Sequence, residues 1–327
     1  MKNAQRRMIM GVGSANIDIV YRANRIAREE EKTYIAPDES GRLAQEIVGG
    51  VTLNHLSWAA ALGAPAGYFG YLGDDRNGDL LREAMDARGI DRRHLRIRRG
   101  ASSGTAVIFV DANGERAIYM SGGTTADISA DHVGRDFAEA IQQASIVSSE
   151  ASLISLRGVA AAFRTAKRAG VLTALDVDAP PSACAEAGLG TRAELEQALS
   201  LADIVKPSKA AAAELSSAPT LERQAEETRE RFGAKLVAVT DGARGSVLSN
   251  AEQTLRFPAA SVEAVDTTGA GDAFFGGLLA GHALPLEERG RLANACGAAC
   301  CAVLGAPPQP GESLKLVKRL YGGPIPL

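Results

Sequence analysis

The chain has 327 residues and a formal net charge of −3 at pH 7, with acids and bases mixed along it. That length amounts to two average domains or one large α/β domain, enough to bury a core without disulfide or metal staples. Near-neutral charge argues against a dedicated nucleic-acid or membrane-surface protein, and no stretch of about twenty apolar residues suits a membrane span, so the expectation is a soluble cytoplasmic protein that works on small molecules.

In chain order, Lys2, Arg6 and Arg7 precede an apolar run that Gly11, Gly13, Asn16 and Asp18 break too early for a signal peptide. Residues 8–13 read as a buried first strand. Gly13-Ser14-Ala15-Asn16-Ile17-Asp18 then places Asn16 and Asp18 just past the strand end, where open α/β sheets bind ligands; the alternative is an ordinary Asn/Asp turn. Residues 20–46 are polar and irregular. Gly49-Gly50 opens a helix that runs to Leu62 and stops at Gly63. Asn54 in its first turns could reach a polyol, while His55 beside it reads as a structural histidine.

Residues 68–72 form a second strand, and the turn from Gly73 to Gly78 leads into a helix ending near Arg88. Residues 92–99 carry five arginines, but Leu95 and Ile97 alternate with them. That is the pattern of a half-exposed edge strand, where arginine discourages unwanted pairing. Asn113-Gly114 between the apolar runs 105–110 and 117–120 signals a hairpin. Beyond it strands (145–149, 171–176, 204–206, 235–240) alternate with helices (156–169, 192–199, 208–215, 221–232). This rhythm predicts a mostly parallel sheet covered by helices on both faces. A hairpin pair (246–248, 254–257) and two C-terminal helices (290–304, 311–320) complete the chain. The segment 19–47 and the hairpin 103–121 stand outside the rhythm and are expected to form a small sheet, a lid over the strand ends of a single domain. Cys184, Cys296, Cys300 and Cys301 lack C-x-x-C spacing and read as buried thiols in a reducing cytosol.

The chemistry concentrates at Val265-Asp266-Thr267-Thr268-Gly269-Ala270-Gly271-Asp272, followed by an apolar helix. The glycines allow a tight turn and close approach to a ligand, and the helix start behind them favours an anion, commonly phosphate. An acid at the mouth of an anion hole suits a base: Asp272 takes a proton from a hydroxyl while the amides of Gly269, Ala270 and Gly271 hold the developing charge. No Walker-type G-x-x-x-x-G-K-[ST], H-E-x-x-H or G-x-S-x-G motif is present. Asn16, Asp18, Gly49, Gly50 and Asn54 offer hydroxyl partners, and Gly242 and Gly245, in the turn after Thr240, offer close approach for a nucleotide. Together these residues suit phosphoryl transfer from a nucleotide to an alcohol.

The sequence resembles the PfkB, or ribokinase-like, family of carbohydrate kinases. Asp266 to Phe274 looks like the family's C-terminal signature, and Gly49-Gly50 through Asn54 to Gly63 looks like its N-terminal one. Gly13 to Asp18, Gly73-Asp74-Asp75 with Gly78, Gly114-Glu115-Arg116 and Thr240 to Gly245 fall where the family has similar elements. The resemblance implies a three-layer α/β/α sandwich with a small β-sheet lid, and a sugar or nucleoside as acceptor. It implies that Asp272 is the base, that Asn16, Asp18, Gly49, Gly50, Asn54 and Arg116 line the acceptor pocket, and that Lys206, Thr240, Gly242, Gly245 and Asn294 contact ATP. Magnesium, a monovalent cation such as K+ beside the anion hole, and homodimers through the lid are further implications.

One departure stands out. The family's magnesium-organising Asn-x-x-Glu is replaced here by Ser208 and Ala211. Asp178 or Glu214 could supply the missing carboxylate, or ATP alone could hold the ion. Two other readings remain open. A nucleoside kinase of the same fold draws on Tyr21, Tyr34 and Tyr119 in the lid, and a ligand-binding homologue with weak catalysis draws on the missing Asn-x-x-Glu but is opposed by the intact Asp272.

Overall fold

A computed structural model describes residues 8–38, 40–113 and 115–327; the expectations for Lys2, Arg6, Arg7 and Gly114 lie outside them. Fourteen strands are formed among the described residues. They are β1 (Ile9–Gly11), β2 (Asn16–Ala23), β3 (Ile35–Ala36), β4 (Ala44–Gly49), β5 (Ala66–Gly73), β6 (Asp91–Arg98), β7 (Gly104–Val110), β8 (Arg116–Ser121), β9 (Ile146–Glu150), β10 (Leu172–Val177), β11 (Ile204–Pro207), β12 (Leu236–Thr240), β13 (Ser246–Asn250) and β14 (Thr254–Phe257).

Nine of these build one sheet in the order β14-β13-β12-β11-β10-β9-β1-β5-β6. It is parallel from β6 through β12, and β13 and β14 add an antiparallel edge. Side chains alternate across the sheet: Met10, Val147, Leu175 and Val205 pack on one helical layer, whereas Ile9, Ile146, Ala174 and Ile204 pack on the other. Burial on both faces explains why these strands read as near-continuous apolar runs. One layer includes the helices Leu156–Arg168 and Leu221–Phe232; the other includes Val51–Ala61 and Ala270–Ala280. The arginine-rich β6 is the sheet edge, as its alternation predicts.

The remaining strands form a separate five-stranded sheet, with β3 and β4 antiparallel to β2, β7 parallel to β2 and β8 antiparallel to β7. Here the sequence reading needs correction. Residues 20–46 are not uniformly irregular, because β2 and β4 lie largely within that stretch, and Asn16 and Asp18 sit on β2 rather than in a turn past β1. The lid's strands mix charged and apolar residues because the sheet is only half covered, so the apolar signal is diluted. No helix among the described residues is long and apolar enough to cross a membrane.

Candidate active site

The carboxyl ends of β9, β10, β11 and β12 and the starts of two helices converge beneath the lid. The Ala270–Ala280 helix begins after Gly269, whose φ of 75° is left-handed and therefore suits glycine. A Cβ there would lie 2.2 Å from the Cβ of Ala306. The Trp58 indole donates to the Ala306 carbonyl at 2.8 Å, and the Gly305 amide donates to Asp266 at 3.1 Å. The loop after the Leu286–Cys301 helix is thus tied down against the anion-hole turn.

Asp272 lies in the first turn of the Ala270–Ala280 helix and is 6 % exposed. Its Oδ2 accepts from the Asn54 amide at 2.8 Å, although 218 residues separate the two. The Asn54 Oδ1 is buried with no partner among the described residues. Burial and the carboxylates of Asp176 and Asp178 push the Asp272 carboxyl well above the usual range, while Asn54 and Lys206 pull it back. A raised proton affinity is what a general base needs.

Lys206 is almost wholly buried at the end of β11. Its Nζ donates to both oxygens of Asp176, at 2.8 and 3.1 Å. A Cβ on Gly271 would come within 2.9 Å of that Nζ, so the missing side chain leaves the ammonium against the first turn of the Ala270–Ala280 helix. Burial alone would lower the Lys206 pKa, but Asp176 and Asp178 outweigh it and hold the amine charged.

The lid side of the site is built by β2 and β4. The Asn16 amide donates to Asp18, and a Cβ on Gly49 would meet the Asp18 Oδ2 at 2.5 Å. Burial raises the Asp18 carboxyl to about 6 despite the Asn16 bond. Gly50 caps the Val51–Ala61 helix with a φ of 107°, and a Cβ there would strike the Ser14 carbonyl at 2.6 Å. Arg116 donates to the Thr268 hydroxyl at 3.0 Å, bridging lid and anion-hole loop. Asp18, Gly49, Arg116 and Thr268 all line one cavity of about 260 Å³ beneath the lid.

Other expected residues have prior commitments. Gly245 is bare because a Cβ would lie 1.9 Å from the Phe257 carbonyl, which is a packing reason rather than a ligand reason. Gly242 has open space around it, next to Thr240 at the end of β12. The Asn294 amide is engaged by Ser246 and the Gly290 carbonyl, both at 2.9 Å. Ser208 caps its helix by accepting from the Ala211 amide at 3.2 Å, and Ala211 is fully buried. Glu214 accepts from the Ser182 amide and hydroxyl at 2.9 and 2.7 Å. Asp178 is exposed beyond β10, with Oδ1 3.9 Å from where a Gly271 Cβ would lie. His55 is structural, as expected: it is buried, its ring bonds the Ser148 hydroxyl, and burial lowers its pKa to about 3.

Sequence reasoning missed Glu150, fully buried at the end of β9, which accepts from the Ser14 amide at 3.1 Å, the Ser14 hydroxyl at 3.0 Å and the Ser152 hydroxyl at 2.6 Å. An acid that closes an apolar strand was the available signal. Arg22 was missed as well; its alternation with Asp18 and Val20 would have put it on the cavity face.

Comparison with known proteins agrees with this geometry. The model of the pfkB family of carbohydrate kinases matches residues 6–310. A fructokinase from Klebsiella pneumoniae is 32 % identical over 281 residues, covering 83 % of this chain and 91 % of its own. A ribokinase from Arabidopsis thaliana is 30 % identical over 325 residues, covering 94 % and 80 %. The structure of Arabidopsis thaliana ribokinase complexed with ribose and ATP superposes with a TM-score of 0.81 at 27 % identity, covering 96 % of this chain and 99 % of that one. A ribokinase-like sandwich and a match across nearly the whole sequence lead to one conclusion: the chain belongs to the pfkB family and is an ATP-dependent carbohydrate kinase.

Proposed function

We propose that the protein transfers the γ-phosphoryl group of ATP to a hydroxyl of a sugar or sugar-like polyol, with Asp272 as base and the Gly269–Gly271 turn as anion hole. The observation that carries this reading is the Asn54–Asp272 contact of 2.8 Å at the start of the Ala270–Ala280 helix, with Lys206 against Gly271 on the other side. Asp272 takes the proton of the acceptor hydroxyl as its oxygen attacks the γ-phosphorus. The bond to the β-phosphate oxygen breaks and ADP leaves. The amides of the turn and the Lys206 ammonium are fixed in place beforehand, so they stabilise the equatorial oxygens without reorganising.

Magnesium is the ion that such chemistry implies, and it would neutralise phosphate charge and orient the leaving group when bound. Among the described residues, no group of three His, Cys, Asp or Glu side chains converges on a metal position. The donor set therefore suits an ion held mostly by phosphates and water, with one or two carboxylates. Ser208 and Glu214 are engaged elsewhere. Asp178, exposed and beside Gly271, is the carboxylate that would hold it.

The lid supports a sugar over a nucleoside. Tyr21 stacks on Phe109, Phe109 meets Tyr119 edge-on, and none of the three lines the cavity. Tyr34 does not line it either, so among the described residues the cavity lining offers no aromatic face to a base. The substitution Asp272→Asn should lower kcat by about a thousandfold while leaving ATP binding intact by calorimetry. A variant that still releases ADP with a sugar at near the wild-type rate would refute the role of Asp272.

A further inference from the structure

We infer that the acceptor of this kinase carries an anionic group, a phosphate ester or a carboxylate, at the end remote from the hydroxyl that is phosphorylated, and that Arg22 and Arg116 on the lid clamp it. The inference rests on the phosphoryl-transfer reading and deepens it.

The cavity face of the lid is ordered by strand register. Asp18 lies beside Ile47, Val20 beside Gln45, and Arg22 beside Val110, which in turn lies beside Arg116. All of these line the cavity. Along β2 the surface thus changes from a carboxyl at Asp18, through apolar Val20, to a cationic rim at Arg22. Four residues of strand place that rim about 13 Å from Asp18. Across the sheet, Arg22 and Arg116 are two strands apart, about 10 Å between backbones, and their side chains are long enough to converge on one group over Val110.

The rim is assigned to the acceptor on its lid-side neighbours: Asp18 and Gly49 line this cavity, as do Asp266 and Thr268 just ahead of Gly269, while Asn54, Asp272, Lys206 and Gly271 lie outside its lining. Asp38 pairs with Arg42 at 3.3 Å and Asp266 lies 3.8 Å from Arg116, so these acids offset two of the cavity's three arginines. The third acid of the lining, Asp18, sits four residues from Arg22 along β2, and no carboxylate among the described residues pairs with Arg22, so its guanidinium is the one left without a partner. Arg116 is held by one bond to the Thr268 hydroxyl, which leaves most of its five N–H donors free. Planar guanidinium groups presenting free pairs of donors match phosphate and carboxylate oxygens two at a time. A neutral sugar would leave this end of the cavity without a counter-charge.

The test measures wild type and Arg22→Gln against D-ribose, D-ribose 1-phosphate and D-ribonate, matched as neutral, phosphate and carboxylate probes. ADP release gives turnover, and calorimetry without ATP gives binding independently of it. At least one acidic probe should exceed ribose in affinity by about tenfold, equivalent to roughly 1.4 kcal/mol. Arg22→Gln should remove most of that gain, read as the ratio of acidic-probe to ribose affinity. The stronger acidic probe tells phosphate from carboxylate. If neither acidic probe binds more tightly than ribose, or if Arg22→Gln leaves the preference intact, the clamp is refuted, and turnover of neutral sugars leaves the kinase reading standing. If acidic probes bind preferentially but no acceptor yields ADP, the clamp stands and the phosphoryl-transfer reading falls.

Discussion

Replacing Lys206 by methionine isolates the charge that joins the anion hole to the core. Lys206 and Asp176 are 1 % and 0 % exposed, with their closest atoms 2.8 Å apart. Methionine keeps the apolar length of the side chain and removes the ammonium, leaving Asp176 buried without its counter-charge. Breaking one partner of a buried pair costs about 3–5 kcal/mol, and for 327 residues that corresponds to a fall in Tm of about 6 °C. The loss should depend on pH. Asp176 already sits at about 7, raised by burial against the pull of Lys206, and without the ammonium it rises further. A carboxyl whose folded pKa is raised contributes stability that is fully present below its unfolded value, near 4. That stability is lost as pH rises through the folded value. Lys206→Met should therefore be nearly as stable as wild type at pH 5 and fall progressively behind it as pH rises above 7, with a clear deficit at pH 8. Thermal melts of both proteins at the two pH values decide the matter. A deficit below about 1 kcal/mol at pH 8, or one equal at both pH values, would refute the account of a charged pair that presents its ammonium to the site. The double variant Lys206→Met, Asp176→Leu should recover most of the lost stability, because no uncompensated charge stays buried.

Two further outcomes follow from the same geometry. Asp18 titrates at about 6 because burial disfavours its charged form, so its contribution to stability is fully present below about 4 and lost as pH rises through 6. Asp18→Asn should flatten the stability profile in that window by chemical denaturation, whereas an unchanged profile would place the titration elsewhere. Gly269→Ala combines a left-handed backbone with a Cβ 2.2 Å from that of Ala306. It should cost about 1–3 kcal/mol and raise the KM for ATP more than that for the acceptor, and an equal effect on both would detach the turn from the phosphate.

Much of this arrangement was legible in the sequence where it is local. Gly269 to Asp272 and the helix behind them are contiguous, and local backbone geometry alone sets the turn at Gly269 and the helix start proposed to hold an anion. The α/β rhythm from residue 145 to residue 240 follows from alternating strand and helix periods, which each segment carries by itself. The lid was legible as a departure from that rhythm, yet its main strands were not. β2 alternates charge with apolar residues and pairs with β7 some 88 residues away, so its signal depends on partners that no local window contains. Asn294 looked like a nucleotide contact, and only the packing of its helix on β13 shows that its amide is engaged by Ser246. Gly245 likewise looked like a ligand approach until the chain from Phe257 was found against it.

The sequence by itself determined the family, the sandwich and the glycine turn before the Ala270–Ala280 helix, because each is written in short stretches whose conformations are set by neighbouring residues. Tertiary structure decided how those stretches act together. It brought Asn54 to Asp272, Lys206 to Asp176 and Gly271, and Arg22 into register with Arg116. It also kept the lid tyrosines out of the cavity and set Asp178 beside Gly271. These relations join residues far apart in the chain and are fixed by strand register and by packing on a shared core, and neither can be read from any one segment.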